Sequence, residues 1–218
     1  MTQSASVFIA LDGIDGVGKS TQIERLMQHL GDRGLHLLLV RDPGTTVIGA
    51  KLRELLLDSD LDLHRRTEAM LFMASRCEMI ETSIRPALES GTTVVSDRFL
   101  LANVVYQSVG GGVPTEQLWK MGLLANQGLL PDMTVLLDMP AEAALRRLGD
   151  ETDRMERRGL EYMESVRQAF LKELPHSSPV TAVIDAGRSP DEVTAAMLHQ
   201  VDRFLESRGL ESRGLESR

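Results

Sequence analysis

The chain alternates short apolar runs with longer stretches that are apolar on one face only. Val7-Phe8-Ile9-Ala10-Leu11 reads as a first strand over about 6–11. After it, Ile23, Leu26, Met27 and Leu30 recur with helical spacing, which predicts a helix over about 19–32 that stops near Gly34. Residues 35–40 read as a second, buried strand, halted by Pro43 and Gly44. Leu52, Leu55 and Leu56 mark one face of a second helix. A long helix follows over about 65–89, its buried face carried by Ala69, Phe72, Met73, Cys77, Ile80, Ile84 and Leu88. The β-branched run 92–96 is a third strand, and a helical segment carrying Asn103 and Tyr106 is broken by Gly110, Gly111 and Gly112. Pro114 opens a helix whose buried face is Leu118, Met121 and either Leu124 or Ala125. Residues 135–138 form a fourth buried strand, 160–174 a helix and 180–184 a fifth strand. Ser189-Pro190-Asp191-Glu192 has the cap, the proline and the acids of a helix start.

Strands alternating with helices predict an α/β domain, a five-stranded parallel sheet with helices on both faces. Ligands of such a sheet sit outside the carboxyl ends of its strands. Residues 13–20, 42–44, 97–98 and 138 all fall at such ends, which predicts that they share one site. Residues 146–158 are rich in arginine and poor in large apolar side chains, so a mobile lid is expected there. From 206 to 218 the chain repeats ESRGL, a period that suits neither helix nor strand, and a disordered tail is expected beyond a single domain over 1–205.

Composition adds exclusions. A formal charge of −8 disfavours general nucleic-acid binding, and an aromatic content of 4% provides few base-stacking platforms. A small anionic substrate remains compatible, because a local arginine cluster can reverse the field inside a cleft. Cys77 is the single cysteine, which excludes an internal disulfide and fits a reducing compartment; its position on an apolar stripe predicts packing rather than catalysis. No apolar run is long enough for a membrane span and no signal pattern opens the chain, so a cytoplasmic location is expected.

The most specific stretch is Gly13-Ile14-Asp15-Gly16-Val17-Gly18-Lys19-Ser20-Thr21, which fits G-x-x-x-x-G-K-[ST] between a strand and a helix. Glycines allow backbone N–H groups to close around a phosphate, Lys19 places a point charge on it, and the Ser20 hydroxyl is placed to ligate Mg²⁺. The following helix points its positive dipole end at the same anion. This predicts a P-loop, nucleoside-triphosphate hydrolase-like fold that holds the phosphates of a donor nucleotide. Arg41 and Arg98, at two other strand ends, could fork around a second phosphate, and Asp97 could hold Mg²⁺. Each has a plainer alternative: Asp97-Arg98 as a surface ion pair and Arg41 as a solvated strand-end charge. Arg76, on the apolar face of the long helix, is either a boundary residue with a wet head group or a charge aimed into a pocket. An acceptor that is already a phosphate dianion needs no general base, so alignment and charge neutralisation would suffice.

With these pieces in order, the sequence resembles the bacterial thymidylate kinase family over about residues 6–205. The resemblance rests on the loop, on RDPGTT (41–46), LFMASR (71–76), DRFLLANVVYQ (97–107), LLDMP (136–140) and DRMERRGLEYMESVRQAFL (153–171). It implies transfer of a phosphoryl group from ATP to dTMP, giving dTDP and ADP for dTTP synthesis. It implies that Phe72 stacks on the thymine ring and Arg76 bonds its O4. Asn103, Tyr106 and Gln107 would line the base and sugar pocket, Asp15 would meet the 3′-hydroxyl, and Arg41 and Arg98 would bind the acceptor phosphate. Asp12 and Asp97 would sit near Mg²⁺, with Glu161 a weaker candidate, and Arg154 would act from the lid beside Lys19, Arg98 and Asp15. A homodimer is implied, with no nucleic-acid or membrane partner. Thr45 and Asp42 depart from the family's R-E-P-G-G-T, and Asp12 stands where Glu is commoner. The rival readings are another nucleoside monophosphate kinase or a deoxynucleoside kinase. A non-catalytic P-loop switch is disfavoured because no N-K-x-D sequence occurs.

Overall fold

All five residues of the first strand, β1 (Phe8–Asp12), are buried, because the strand has neighbours on both edges and helices on both faces. In this computed structural model, which describes residues 6–58, 61, 63–148 and 159–210, four further strands join it. They are β2 (Leu37–Arg41), β3 (Thr93–Asp97), β4 (Met133–Asp138) and β5 (Val180–Asp185). Every pairing is parallel and the order is β2-β3-β1-β4-β5. The chain therefore leaves β1 for one side of the sheet and, after β3, crosses to the other. That reversal makes a crevice at the carboxyl end of β1.

The helices are α1 (Lys19–Asp32), α2 (Val47–Arg53), α3 (Arg65–Met79), α4 (Arg85–Glu89), α5 (Leu100–Ser108), α6 (Thr115–Ala125), α7 (Ala141–Leu148), α8 (Leu160–Glu173) and α9 (Pro190–Ser207). Side chains alternate across β1. Val7, Ile9 and Leu11 pack with Leu26 and Leu30 of α1, Val166 and Phe170 of α8 and Val201 of α9. Phe8 and Ala10 pack on the opposite face with Ala69, Met73 and Ile80. The five-strand parallel α/β architecture expected from the sequence is the one observed. No described helix is long and apolar enough to cross a membrane.

Three local expectations need correction, and one open alternative is decided. The strand at 35–40 was expected to be buried, but β2 is an edge strand and Leu39 is 46% exposed, since only β3 pairs with it. The long helix is divided into α3, a π-helical stretch Ile80–Ile84 and α4. Its inward stripe runs through Phe72, Arg76, Met79 and Ile80, which leaves Cys77 half-buried at the margin and Leu88 only partly covered. On α6 it is Ala125, not Leu124, that turns towards the core; Leu124 is 81% exposed. The first ESRGL unit, where the tail was expected to begin, finishes α9: Leu210 N–H donates to Leu205 O at 3.0 Å, and Leu210 packs on the core.

The start of α9 is as its sequence predicts. Ser189 Oγ accepts from Glu192 N–H at 3.4 Å and Glu192 Oε2 accepts from Ser189 N–H at 3.1 Å, a reciprocal cap. Leu30 is fully buried at the far end of α1 from the phosphate loop. Leu30→Ala should lower stability by about 2–5 kcal/mol, through lost burial and the cavity left behind, in urea titrations followed by circular dichroism.

Candidate active site

The loop between β1 and α1 sits in the crevice where the sheet order reverses. Its conformation requires glycine at two places. Gly13 has φ 144° and Gly16 φ 83°, and a Cβ would meet Leu137 O at 2.5 Å from the first and Ala144 O at 2.2 Å from the second. Gly18 caps α1, so Lys19, Ser20 and Thr21 form its first turn. Ile14 and Val17 point away into the core, leaving their backbone to the loop.

Lys19 is folded back on the loop it serves. Its Nζ donates to Gly13 O at 3.0 Å, Ile14 O at 2.8 Å and Asp15 Oδ1 at 3.2 Å. Burial and the nearby Arg98 both push its ammonium below the ordinary lysine value. Arg98 reaches the same carboxylate from β3. Its backbone is left-handed, φ 66°, an unusual state for a side chain of this size and one that clusters at functional sites. That turn brings Nη1 to Gly13 O at 3.0 Å and Nη2 onto Asp15 Oδ1. The guanidinium also lies 5.2 Å from the Tyr106 ring centroid, and the Tyr106 hydroxyl donates to Asp15 Oδ2 at 3.2 Å. Burial pushes the Asp15 carboxyl up, but Arg98 and Lys19 outweigh it and hold it well below the usual carboxylate range.

Two more carboxylates stand at the strand ends. Asp97 Oδ2 accepts from Arg41 Nε at 3.1 Å, with Arg41 otherwise open to solvent, while Asp97 Oδ1 is buried without a partner. Asp12 is fully buried and neither of its oxygens has a partner. Burial pushes its carboxyl up to about 7, against the pull of Arg98 and Lys19. Orphaned carboxylate oxygens at the mouth of a phosphate loop are the donor type that Mg²⁺ takes. No group of three or more His, Cys, Asp or Glu side chains is gathered among the described residues. A magnesium site of this kind needs only one or two carboxylates, the rest of its shell being water and phosphate oxygens.

The second half of the site is a polar chain inside the apolar layer between α3 and α5. Arg76 is 1% exposed, which decides between the two readings of its position in favour of the pocket. Its Nε donates to Asp42 Oδ2 at 2.5 Å and its Nη1 to Asn103 Oδ1 at 3.2 Å. Asn103 Nδ2 donates to Gln107 Oε1 at 2.6 Å, and Gln107 Nε2 to Glu68 Oε1 at 2.8 Å. Asp42, noted in the sequence only as a shortened acid, is thus the counter-ion of Arg76. Neither Asp42 nor Glu68 carried a signal for this, because the pairings join residues 34 and 39 positions apart. Thr45 closes the 41–46 turn, its Oγ1 accepting from Arg41 N–H at 2.6 Å and donating to Arg41 O at 3.0 Å.

One cleft of about 370 Å³ joins the two halves. Asp15, Lys19, Ser20 and Thr21 line it on the loop side, Arg41, Asp97 and Arg98 in the middle, and Phe72, Arg76, Asn103, Tyr106 and Gln107 beyond. Arg147, from the arginine-rich segment expected as the lid, lines it too, as does Arg53, which sequence reasoning did not single out; Arg53 Nη1 also donates to Pro43 O at 3.1 Å. Asp138, expected at the site because it ends a strand, does not reach it. Arg167 of α8 holds it by two parallel bonds of 2.7 and 2.8 Å, so its charge is already matched. Glu161 is exposed and does not line the cleft. Arg154 and most of the 146–158 segment lie outside the described residues.

A glycine loop at the end of a central parallel strand, with arginine-bearing strand ends beside it, is the arrangement of P-loop proteins that bring two phosphates together. Comparison with known proteins narrows that class. A sequence profile of the thymidylate kinase family matches residues 11–197. The thymidylate kinase of Rhodopirellula baltica is 63% identical over 185 residues, covering 85% of this chain and 76% of that protein. Those of Symbiobacterium thermophilum and Nitrosomonas eutropha are 42% and 40% identical, covering 93% and 92% of this chain and 96% and 94% of theirs. The chain belongs to the thymidylate kinase family.

The state of Asp12 has a measurable consequence. A carboxyl titrating near 7 in the folded chain and near 4 in the unfolded chain takes up a proton on folding between those values. Its burial therefore costs stability progressively as pH rises through that window, and fully above it. Asp12→Asn should raise the melting temperature in the presence of a chelator, by more at pH 8 than at pH 5. An equal change at both pH values would mean that Asp12 is not held in this way.

Proposed function

We propose that this protein transfers the γ-phosphoryl group of ATP to dTMP, giving dTDP and ADP and so supplying dTTP synthesis. The observation that carries the reading is the single cleft in which the phosphate loop and the Phe72 pocket are joined through Arg98. Loop N–H groups and the α1 N-terminus hold the donor phosphates, and Lys19 turns from the Gly13 and Ile14 carbonyls to neutralise them. Phe72 stacks on the base, Arg76, Asn103 and Gln107 read its edge, and Tyr106 and Asp15 border the sugar. Arg41 and Arg98 hold the acceptor phosphate. That phosphate is itself the nucleophile, so no side chain has to remove a proton.

Asp12, Asp97 and Ser20 are the residues that would hold Mg²⁺, which when bound spreads the charge of the transferring group. On the donor side Arg147, at the end of α7, is the nearest described arginine of the proposed lid, and Arg154 belongs to the same segment. The fold is read as one catalytic domain that runs through the end of α9 to Leu210. A homodimer is supported by the exposed apolar side chains Met70 of α3 and Leu124 of α6, helices that pack side by side. Sedimentation should give a dimer, and Leu124→Arg should shift it towards monomer.

The reaction is tested by following ATP consumption with Mg²⁺ and dTMP, dUMP, dCMP, AMP or GMP in parallel; selective turnover of dTMP is expected. Turnover of another monophosphate alone would void the base-reading roles of Phe72 and Arg76. Arg98→Ala should lower kcat by about 10²–10³, the usual effect of removing one buried donor to reacting oxygens. A loss below about threefold would remove Arg98 from the reacting centre.

A further inference from the structure

One hydroxyl on β3 stands where its neighbours are apolar. Ser96 is fully buried, and its register partners Ala10 of β1 and Val40 of β2 both belong to the apolar layer on that face of the sheet. A hydroxyl placed there needs an acceptor. It finds one two residues on: Ser96 Oγ donates to Arg98 O at 2.5 Å.

Arg98 is the residue whose backbone is left-handed, φ 66°. That state is costly for any residue with a Cβ, which crowds the following carbonyl, so it persists only where its surroundings hold it. The peptide before Arg98 is held at both ends. Asp97 O accepts from Asp42 N–H at 3.1 Å, and Arg98 N–H donates to Leu11 O at 2.9 Å. With that peptide fixed, Arg98 can reach an ordinary φ only by rotating about its N–Cα bond. Such a rotation moves its carbonyl and its side chain together. Ser96 holds the carbonyl, so it also holds the direction in which the side chain leaves the backbone.

We propose that Ser96 is a positioning residue for Arg98: by holding the carbonyl of a strained arginine, it aims the guanidinium at the reacting phosphate. This rests on the assignment of Arg98 to the acceptor phosphate made above. In the free protein the guanidinium is also restrained by Gly13 O, at 3.0 Å, and by Asp15. Those bonds engage the same N–H groups that a phosphate would take. The bond from Ser96 is made to the backbone and persists through that exchange. A glycine at 98 would adopt this turn unaided but carries no guanidinium, so an arginine kept there needs the restraint. Ser96 does not line the cleft and acts only through Arg98.

The test measures kcat, KM for dTMP and KM for ATP in the unsubstituted protein, in Ser96→Ala, Arg98→Ala and their double variant, and in Ser96→Thr and Ser96→Val. Two controls come first: the unsubstituted protein must phosphorylate dTMP, and Arg98→Ala must lower kcat. Failure of either defeats the functional reading whatever Ser96 does, and the proposal falls with it. Given both, Ser96→Ala should lower kcat/KM for dTMP by about tenfold, with KM for ATP within about twofold, as suits the loss of one hydrogen bond. Added to Arg98→Ala, it should cost less than about twofold more, because the group it positions is gone. A full second loss there overturns the proposal, as does an unchanged kcat/KM in Ser96→Ala or an equal rise in KM for ATP. Threonine keeps the hydroxyl and valine has its shape without one, so Ser96→Thr should stay within about threefold and Ser96→Val should show the fall. Should Ser96→Ala fail to fold, that pair decides, and equal turnover in the two overturns the proposal.

Discussion

Two cations and one carboxylate share the centre of this molecule, and the cleft is shaped around keeping them together. Lys19 and Arg98 would repel one another in a site so poorly hydrated, and Asp15 is the ion that lets both remain. The sheet makes the meeting possible. β1 and β3 are neighbours with Leu11 opposite Asp97, so the residue after Asp97 emerges beside the loop that follows β1. Polyphosphate entering this site brings negative charge of its own. It can take over the role that Asp15 plays for both cations, so binding exchanges one set of ion pairs for another without exposing either cation unpaired.

Most of the architecture was legible because its signals are local. Apolar runs of strand length, helical spacing at Ile23, Leu26 and Leu30, and the glycine loop with its lysine each report on a stretch of chain shorter than twenty residues. Parallel alternation then set the sheet, and strand ends marked the site. What escaped were facts about neighbours. Periodicity cannot tell that β2 is an edge strand, so Leu39 read as buried. It cannot tell that Asp138 meets Arg167, so a strand-end acid looked available. Arg76 was visible as an intruder on an apolar stripe, but the choice between wet boundary and pocket needed Asp42, which comes from a different element. Glu68 was invisible altogether, since one acid in the first turn of a helix is ordinary. The family resemblance supplied roles where spacing left alternatives, and it did so residue by residue rather than by fold.

The two halves of the cleft use charge differently. Beside the phosphate loop the charges are numerous and partly wet, with Asp15 27% and Arg41 57% exposed, as would suit groups that change partners during turnover. On the base side Asp42, Arg76, Asn103, Gln107 and Glu68 are dry and connected end to end, so each fixes the next. In the proposed reaction the exposed charges would serve the reacting groups and the buried polar chain would serve discrimination. Separating the two would allow the loop side to reorganise without disturbing the buried polar chain.

The continuity of the cleft carries a consequence for ligand design. Loop, strand ends and base pocket are mounted on one sheet and open into a single volume with no wall between them. A molecule that tethers a pyrimidine nucleoside to a short polyphosphate would engage both ends at once, the second contact being made at the effective concentration set by its own linker. A linker close to the span between Phe72 and Lys19 would lose little freedom on binding, and stiffening it at that length would gain more affinity than adding contacts at either end.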